Sequence, residues 1–323
     1  VTNCETLMTT IPPRISIVIS VYTSERKNDL MELLGSIESQ KYEGFEIIIV
    51  IERAKDLALD LKRNYPKALI LFSPNPLGLA NSRNLGANRA AGDIISFIDD
   101  DAVLLPGWAN AIVDGFSQSD DIMGVTGPAN PIWTDSSLRW FPEVFYWMIG
   151  CSRWTSHESQ VEVQYAWGVN MSFRRGVFNY CQFSDSYTQG AHSQGKLGPV
   201  GDDREFSMRV RRVIGGKIVY SPLARVGHKV RPYKITSRFV RRYAFWQGYS
   251  DAMFLREFSA GSERRSVQFH VTKKLLSVQL PSTIRGILTG NNHSRKQLGV
   301  IALGITYYLL GWLSYPLGIR STQ

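Results

Sequence analysis

"LANSRNLGANRAAGDIISFIDDD", residues 79–101, runs from a helix-forming stretch through a buried strand into three consecutive carboxylates. The first part reads as a helix closed by Gly92, since a residue without Cβ readily takes the left-handed conformation that ends helices. "DIISFI" (93–98) is a short apolar run of strand length. A strand with no polar alternation is buried on both faces, as strands of parallel sheets are. Asp99, Asp100 and Asp101 stand at its carboxyl end.

The same unit recurs toward the N-terminus. "RISIVISVY" (14–22), "FEIIIVI" (45–51) and "ALILFS" (68–73) read as three more buried strands. Between them, "NDLMELLGSIESQ" (28–40) puts Leu30, Leu33, Leu34 and Ile37 on one helical face, and "AKDLALDLKRNYP" (54–66) is a helix stopped by Pro66. This alternation predicts an α/β fold with a Rossmann-like, mainly parallel sheet and helices on both faces. Such sheets bind ligands at the carboxyl ends of their strands, where the three aspartates lie.

The second half is less regular. Residues 128–167 are rich in aromatics, and 184–200 form a polar, Gly-rich stretch that reads as a loop. "DDREFSMRVRRVIGG" (202–216) predicts a helix and "KIVYS" (217–221) a strand. From Arg231 to Arg265 basic residues interleave with aromatics.

The 37 Lys and Arg against 28 Asp and Glu give a formal charge of +9, which points to an anionic partner: nucleic acid, a phosphorylated small molecule or a membrane surface. Cys4, Cys151 and Cys181 are odd in number, far apart and without metal-ligand spacing, so they read as reduced thiols. The first residues show no basic stretch leading into an apolar core, hence no visible signal peptide.

Carboxylates at a strand tip are tolerable around a hard cation, and Mg²⁺ or Mn²⁺ is often shared with substrate phosphates. By strand alternation Asp99 and Asp101 would point to one side and Asp100 away. "SVYTSER", after the first strand, lacks a Gly-rich phosphate cradle, so bound phosphates would depend on the metal.

Four segments together resemble the family 2 glycosyltransferases of the GT-A fold: "ISIVISVYTSER", "NPLGLANSRNLGANRAAGDIISFIDDDAVLLPGW", "WGVNMSFRRGVF" and "GDDREFSMRVRRVIGGKIVYSPLARVGH". The resemblance spans residues 14–230. It implies an inverting enzyme that moves a sugar from a UDP- or GDP-sugar to an acceptor hydroxyl with Mn²⁺ or Mg²⁺. The metal motif matches Asp99 and Asp101, and the downstream metal-ligand histidine matches His228. The helix motif matches Ala80, Arg83, Asn84 and Gly86, with Arg83 facing the nucleotide. Ser20 stands where the family has Pro, and the acid that ends the second strand is displaced to Glu52. Ser20, Tyr22, Glu52, Arg83, Asp99 and Asp100 form the expected nucleotide-sugar site. The acidic pair opening the late helix matches Asp202 and Asp203.

Glycosyl transfer passes through an oxocarbenium-like state and needs a general base opposite the leaving group. Asp203, with Asp202 as the alternative, is that candidate; either could also be an ordinary first-turn acid. Trp167 and Asn170 could line the acceptor site.

Residues 298–319, Leu298 to Ile319, carry no charge over roughly one bilayer thickness. Two readings are open, a membrane helix and a buried helix. "HSRK" at 293–296 would place the N-terminal part in the cytoplasm. Upstream, Ile235, Phe239 and Tyr243 at i, i+4, i+8 lie beside Arg238, Arg241 and Arg242, a pattern suited either to a membrane interface, with arginines near an acceptor's phosphates, or to a helix packed on the domain with solvated arginines. The expected organisation is a tail (1–13), a GT-A domain (14–230), a basic, aromatic helical region at the membrane interface (231–297) and a candidate transmembrane helix (298–319). The expected location is the cell membrane, by a single span or an interface anchor, and the expected acceptor is a lipid-linked saccharide of the polyprenyl or dolichyl type. Deleting residues from 297 onward would then release the protein, or leave it only salt-sensitively attached through the arginines, with activity on a soluble acceptor surviving better than activity on the lipid-linked one.

Two rivals stand beside this reading. An inactive nucleotide-sugar-binding relative would lack one of the acids, and all are present. A nucleic-acid-binding protein would need a basic groove with stacking aromatics, whereas here the basic cluster leads into an apolar segment; no nucleic-acid partner is expected.

Overall fold

The computed structural model of the chain describes residues 12–152, 158–187, 198–258 and 271–315. Cys4, most of the tail 1–13, most of the loop 184–200 and the end of the segment 298–319 lie outside them.

Four strands, β1 (Ile15–Val21), β2 (Phe45–Glu52), β3 (Leu69–Ser73) and β4 (Ile94–Ile98), alternate with α1 (Lys27–Glu38), α2 (Lys55–Asn64) and α3 (Leu79–Ala87). β1 pairs in parallel with β2 and β4, and β2 with β3, as the buried strands and crossover helices require. Ile15, Ile17 and Ile19 are 0% exposed and Val18, on the opposite face, 1%, so both faces of the sheet are covered. Leu30, Leu33, Leu34 and Ile37 of α1 are all buried.

One helix end differs from expectation. α3 stops at Ala87, and Gly92 does not cap it. Gly92 instead passes beneath β1, where a Cβ would stand 2.7 Å from the Arg14 carbonyl oxygen, and its N–H donates to Ser16 Oγ at 2.8 Å. Close approach of two backbones selects the glycine there.

The chain continues through β5 (Ala102–Leu104), α4 (Trp108–Ser117), β6 (Ile122–Thr126), β7 (Ala129–Trp133), β8 (Val161–Val163) and β9 (Asn170–Arg174). Then come α5 (Asp202–Ile214), β10 (Lys217–Tyr220) and β11 (Val226–Val230). Eight strands form one sheet in the order β3-β2-β1-β4-β9-β6-β10-β8. β9 runs antiparallel between β4 and β6. A second, three-stranded sheet has the order β5-β11-β7.

Past β11 lie α6 (Ser237–Glu257), a π-helical turn (Leu275–Gln279), α7 (Leu280–Leu288) and α8 (Asn292–Ser314). Two residues of the expected stripe, Ile235 and Tyr243, turn inward. They pack on a core of Phe141, Phe145, Val240 and Ile301, and the Trp147 and Tyr243 rings lie 6.0 Å apart. The i, i+4, i+8 pattern reports an apolar partner without saying which, and here the partner is protein.

α8 is 23 residues long, with a window of mean hydropathy 1.4 that is 22% buried. Its docked side meets α6 backbone to backbone: a Cβ on Gly311 would stand 1.8 Å from the Phe245 carbonyl oxygen, and one on Gly248 2.0 Å from that of Tyr308. Its other side bears Leu309, Leu310 and Leu313, each about half exposed or more (52%, 48% and 62%). Gly311→Ala is therefore expected to push the helices apart and cost about 1–3 kcal/mol, the scale of overpacking. Thermal melting checks this, and an unchanged Tm would contradict the close crossing.

Candidate functional site

β4 ends at Ile98, and the three aspartates form the link into the second sheet. The Ala102 N–H donates to the Asp99 carbonyl at 3.0 Å, so the acids occupy a turn. That turn, not strand alternation, separates the side chains. Asp99 faces Arg83, with Oδ1 3.6 Å from Nη2, and is a third exposed (33%). Asp100 goes the opposite way and accepts from Arg26 Nη1 at 2.7 Å. Asp101 is buried between Arg26 at 3.1 Å and His228 at 3.2 Å. Antiparallel pairing of β11 with β5 sets His228 opposite Ala102 and so beside Asp101. Gly150, at φ +78°, makes room for the imidazole, since a Cβ there would lie 2.5 Å from His228 Cε1.

Ligand atoms of Asp99, Asp101 and His228 lie within 4.8 Å of one another. Asp101 Oδ2 is buried and meets the Arg26 guanidinium at 3.1 Å without a hydrogen bond of regular geometry. Two carboxylates and an imidazole this close fit a divalent cation such as Mn²⁺ or Mg²⁺. Burial would raise the Asp101 carboxyl, but His228, Lys234 and Arg26 outweigh it and hold it well below the usual range. Burial raises Asp99, which Arg83 only partly offsets, and pushes Asp100 up to about 7 despite Arg26. A carboxyl raised in the folded state costs stability as pH rises through its pKa, so a cation among these acids is stabilising near pH 7. Mn²⁺ at about a hundred times its Kd is expected to add about 2.7 kcal/mol to unfolding, read as a rise in Tm at pH 7. Asp101→Asn should flatten that rise; an unchanged rise in this variant would place the cation elsewhere.

Asp202 and Asp203 open α5, where helix N-terminal charge favours carboxylates. Arg83 Nη1 donates to Asp202, and Nη2 donates to the Gly168 carbonyl at 3.2 Å. Arg83 thereby ties Asp99 to the acids that open α5. Asp203 accepts the Gly168 N–H and the Arg204 N–H, both at 2.8 Å. Burial raises both carboxyls, with Arg83 opposing it at Asp202 and the two N–H bonds opposing it at Asp203; Asp202 reaches about 6.

A cavity of about 590 Å³ joins these groups. Asp99, Asp101, Asp202, Asp203, His228 and Arg83 are part of its lining. Apolar side chains, Phe145, Met148, Leu275, Leu276, Ile305 and Leu309, are another part. Leu276 and Leu309 are also 60% and 52% exposed, so the apolar lining reaches the surface of the C-terminal helices.

The remaining expected residues are distributed unevenly. Trp167 lines the cavity and its indole N–H donates to the Gly150 carbonyl at 3.2 Å. Asn170 is 0% exposed and accepts from Trp108 Nε1 at 2.9 Å while donating to the Ala224 carbonyl at 2.7 Å. It braces β9 and has no surface for an acceptor. Glu52 is engaged in the same way: it accepts from Leu77 N–H at 2.9 Å and Ser82 Oγ at 2.6 Å, holding the entry to α3. Asp100 is absorbed by Arg26 and stands outside the cavity. Ser20 Oγ, at the end of β1, is buried without a hydrogen-bond partner, and Tyr22 lies under the Arg26 guanidinium at 5.1 Å. Arg238 and Arg241 are exposed and Arg242 half-buried, none of them lining the cavity.

Sequence reasoning passed over Arg26, Lys234, Gln247, Asp251 and Tyr308, all of which line the cavity. Asp251 carried a signal: it is the lone charge in "AFWQGYSDAMFL", the middle of an apolar helix.

The model of the family described as "Glycosyl transferase family 2" matches residues 16–181. A glucosyl-dolichyl phosphate glucuronosyltransferase of Haloferax volcanii is 31% identical over 243 residues, 73% of this chain and 76% of that protein. Among solved structures, the mannosyltransferase PcManGT of Pyrobaculum calidifontis, in complex with GDP-Man and Mn²⁺, superposes with a TM-score of 0.60 at 15% identity, over 96% of this chain and 89% of that one. GalNAc-T7 with UDP, GalNAc and Mn²⁺ gives 0.53 at 16% identity, over 84% of this chain and 57% of that one. These two likenesses concern the fold.

Proposed function

The chain belongs to glycosyl transferase family 2, and on that premise we propose that it transfers a sugar, with inversion, from a nucleoside-diphosphate sugar to a hydroxyl of a lipid-phosphate-linked saccharide at a membrane surface. One observation carries this reading: a single cavity is lined both by the carboxylates and imidazole that could hold a cation and by apolar side chains that reach the surface.

Asp99, Asp101 and His228 would hold Mn²⁺ or Mg²⁺, which supplies positive charge for the departing diphosphate. Arg83 positions the acids on both sides of the donor. Asp203, or Asp202 in its place, accepts the proton of the acceptor hydroxyl. Trp167 and Tyr243 offer flat faces to a sugar ring. The apolar lining accepts the first units of a polyprenyl or dolichyl chain. The Haloferax relative supports one specific pairing, glucuronic acid passed to glucosyl-dolichyl phosphate.

α8 supports an anchor lying in the interface rather than a span. It is docked along α6, which carries Arg238, Arg241 and Arg242, and Arg241 lies 5.9 Å over the Tyr307 ring of α8. α8 could not enter the hydrocarbon without these charges, a costly transfer. The arginines would meet lipid phosphates while Leu309, Leu310 and Leu313 enter the acyl boundary. Attraction of these arginines to the anionic cytoplasmic leaflet supports a cytoplasmic placement of the catalytic residues.

The test is a panel of UDP- and GDP-sugars with Mn²⁺ and the full chain, offered glucosyl-dolichyl phosphate, dolichyl phosphate and a soluble glucoside. Turnover of one donor with the glycosylated lipid is expected. Preference for the soluble glucoside over both lipids would overturn the lipid assignment. In cells the protein is expected in the membrane fraction and released by alkaline carbonate; a protein soluble without detergent at low and high salt would make α8 a core helix.

A further inference from the structure

Asp251 is a carboxylate 4% exposed in the middle of α6, against the apolar helix α8. Burying an ion there is unfavourable unless donors surround it. Three do, from three places in the chain. Arg204 Nη1 donates to Oδ1 at 2.7 Å, Gln247 Nε2 to Oδ1 at 3.0 Å, and the Tyr308 hydroxyl to Oδ2 at 2.7 Å. The Arg204 guanidinium also lies 3.9 Å over the Phe254 ring, one turn further along α6.

Arg204 directly follows the two acids that open α5, and its backbone N–H holds Asp203 Oδ1 at 2.8 Å. Gly201, at φ +103°, precedes α5 and supplies no side-chain cap. A first turn without its own cap needs outside support for its geometry. α6 gives that support twice, through Asp251 to Arg204 and through Ser250 Oγ, which accepts the Val200 N–H at 2.8 Å. α8 adds Tyr308, and the glycine contacts leave α8 little room to slide on α6.

We propose that Asp251 is a positioning residue for transfer: through Arg204 it aims the Asp202–Asp203 pair at the acceptor hydroxyl, and through Tyr308 it ties that aim to the seating of the C-terminal helix. The proposal rests on the reading of that pair as the base. It makes α8 part of the catalytic unit as well as an anchor. The truncation after residue 296, expected from sequence to preserve transfer to a soluble acceptor better than to a lipid-linked one, is now expected to inactivate the enzyme toward both alike.

The experiment compares Asp251→Asn, Tyr308→Phe and the double variant in the full chain, measuring kcat, the KM of donor and acceptor, and nucleoside diphosphate affinity. Misplacing a catalytic group by about 1 Å costs about 10²-fold. Asp251→Asn is expected to lower kcat on that scale with donor KM and diphosphate affinity unchanged within about twofold. Tyr308→Phe, which removes one hydroxyl and keeps the ring, is expected to lower kcat less, and the double variant no further than Asp251→Asn, because both act through one carboxylate. Wild-type kcat in Asp251→Asn while Asp203→Asn and Asp202→Asn are slow would overturn the positioning role and leave the base reading intact. Full activity in both α5 variants would remove the base reading and this proposal with it. Parallel losses of kcat, donor affinity and Tm would assign Asp251 to general stability and also overturn it. If Asp251→Asn does not fold, Tyr308→Phe carries the test, and an unchanged kcat in it overturns the link to α8.

Discussion

Replacing Asp101 with alanine is expected to abolish metal-dependent transfer. Removing a single preorganised charge-stabilising group from an active site costs about 10²–10³-fold, and Asp101 does more than one thing. Its two oxygens lie against Arg26 at 3.1 Å and His228 at 3.2 Å, and it sits within ligand distance of Asp99. Without the carboxylate, two basic side chains would crowd the place where a cation should bind, so cation affinity and the charge on the departing diphosphate are lost together. Nucleoside diphosphate binding should weaken in parallel. Alanine also leaves Arg26 with a buried, half-paired charge, so Asp101→Asn, equal in size and shape, separates chemistry from folding. Undiminished turnover in Asp101→Asn, or full wild-type activity in excess EDTA, would sink the assignment.

Asp203→Asn is expected to slow transfer by about 10²–10⁴-fold, the usual contribution of a positioned general base. Donor binding should survive, because Asp203 touches the Gly168 and Arg204 N–H groups and not the cation-side acids. Asp202→Asn serves as the comparison: Asp202 is paired with Arg83, so its loss should disturb the donor side as well. The sign of the pH dependence follows from burial. A base acts only when ionised, and burial raises both carboxyls, Asp202 to about 6. Activity should therefore fall as pH is lowered through about 6 if Asp202 carries the proton. For either acid the decline should begin above the ordinary carboxylate range near about 4. A rate flat down to about pH 4, or a donor-saturated Asp203→Asn and Asp202→Asn that both turn over normally, would show that neither acid is the base.

Four parallel strands and their crossover helices, the acid tip at Asp99–Asp101 and the acids opening α5 were all legible in the sequence, although β3, read as buried, is an edge strand with Leu69 exposed. Each rests on local physics: apolar runs too short for helices, period-3.6 faces such as Leu30–Ile37, and charges that only a strand end or helix N-terminus would tolerate. The family resemblance, carried by those same motifs, was legible for the same reason. Local pattern could not say which charges meet. Asp99 and Asp101 converge because of a turn and because β11 pairs with β5, a contact across more than a hundred residues that brings in His228. Asn170 and Glu52 are polar residues in motif positions, and only packing reveals that their hydrogen bonds are already taken by Trp108, Ala224, Leu77 and Ser82. The α6 stripe and the α8 apolar run announced that each helix needs an apolar neighbour. Hydrophobicity is non-directional and names no partner, so only the tertiary structure decided that α6 faces the cavity and that α8 lies docked upon it.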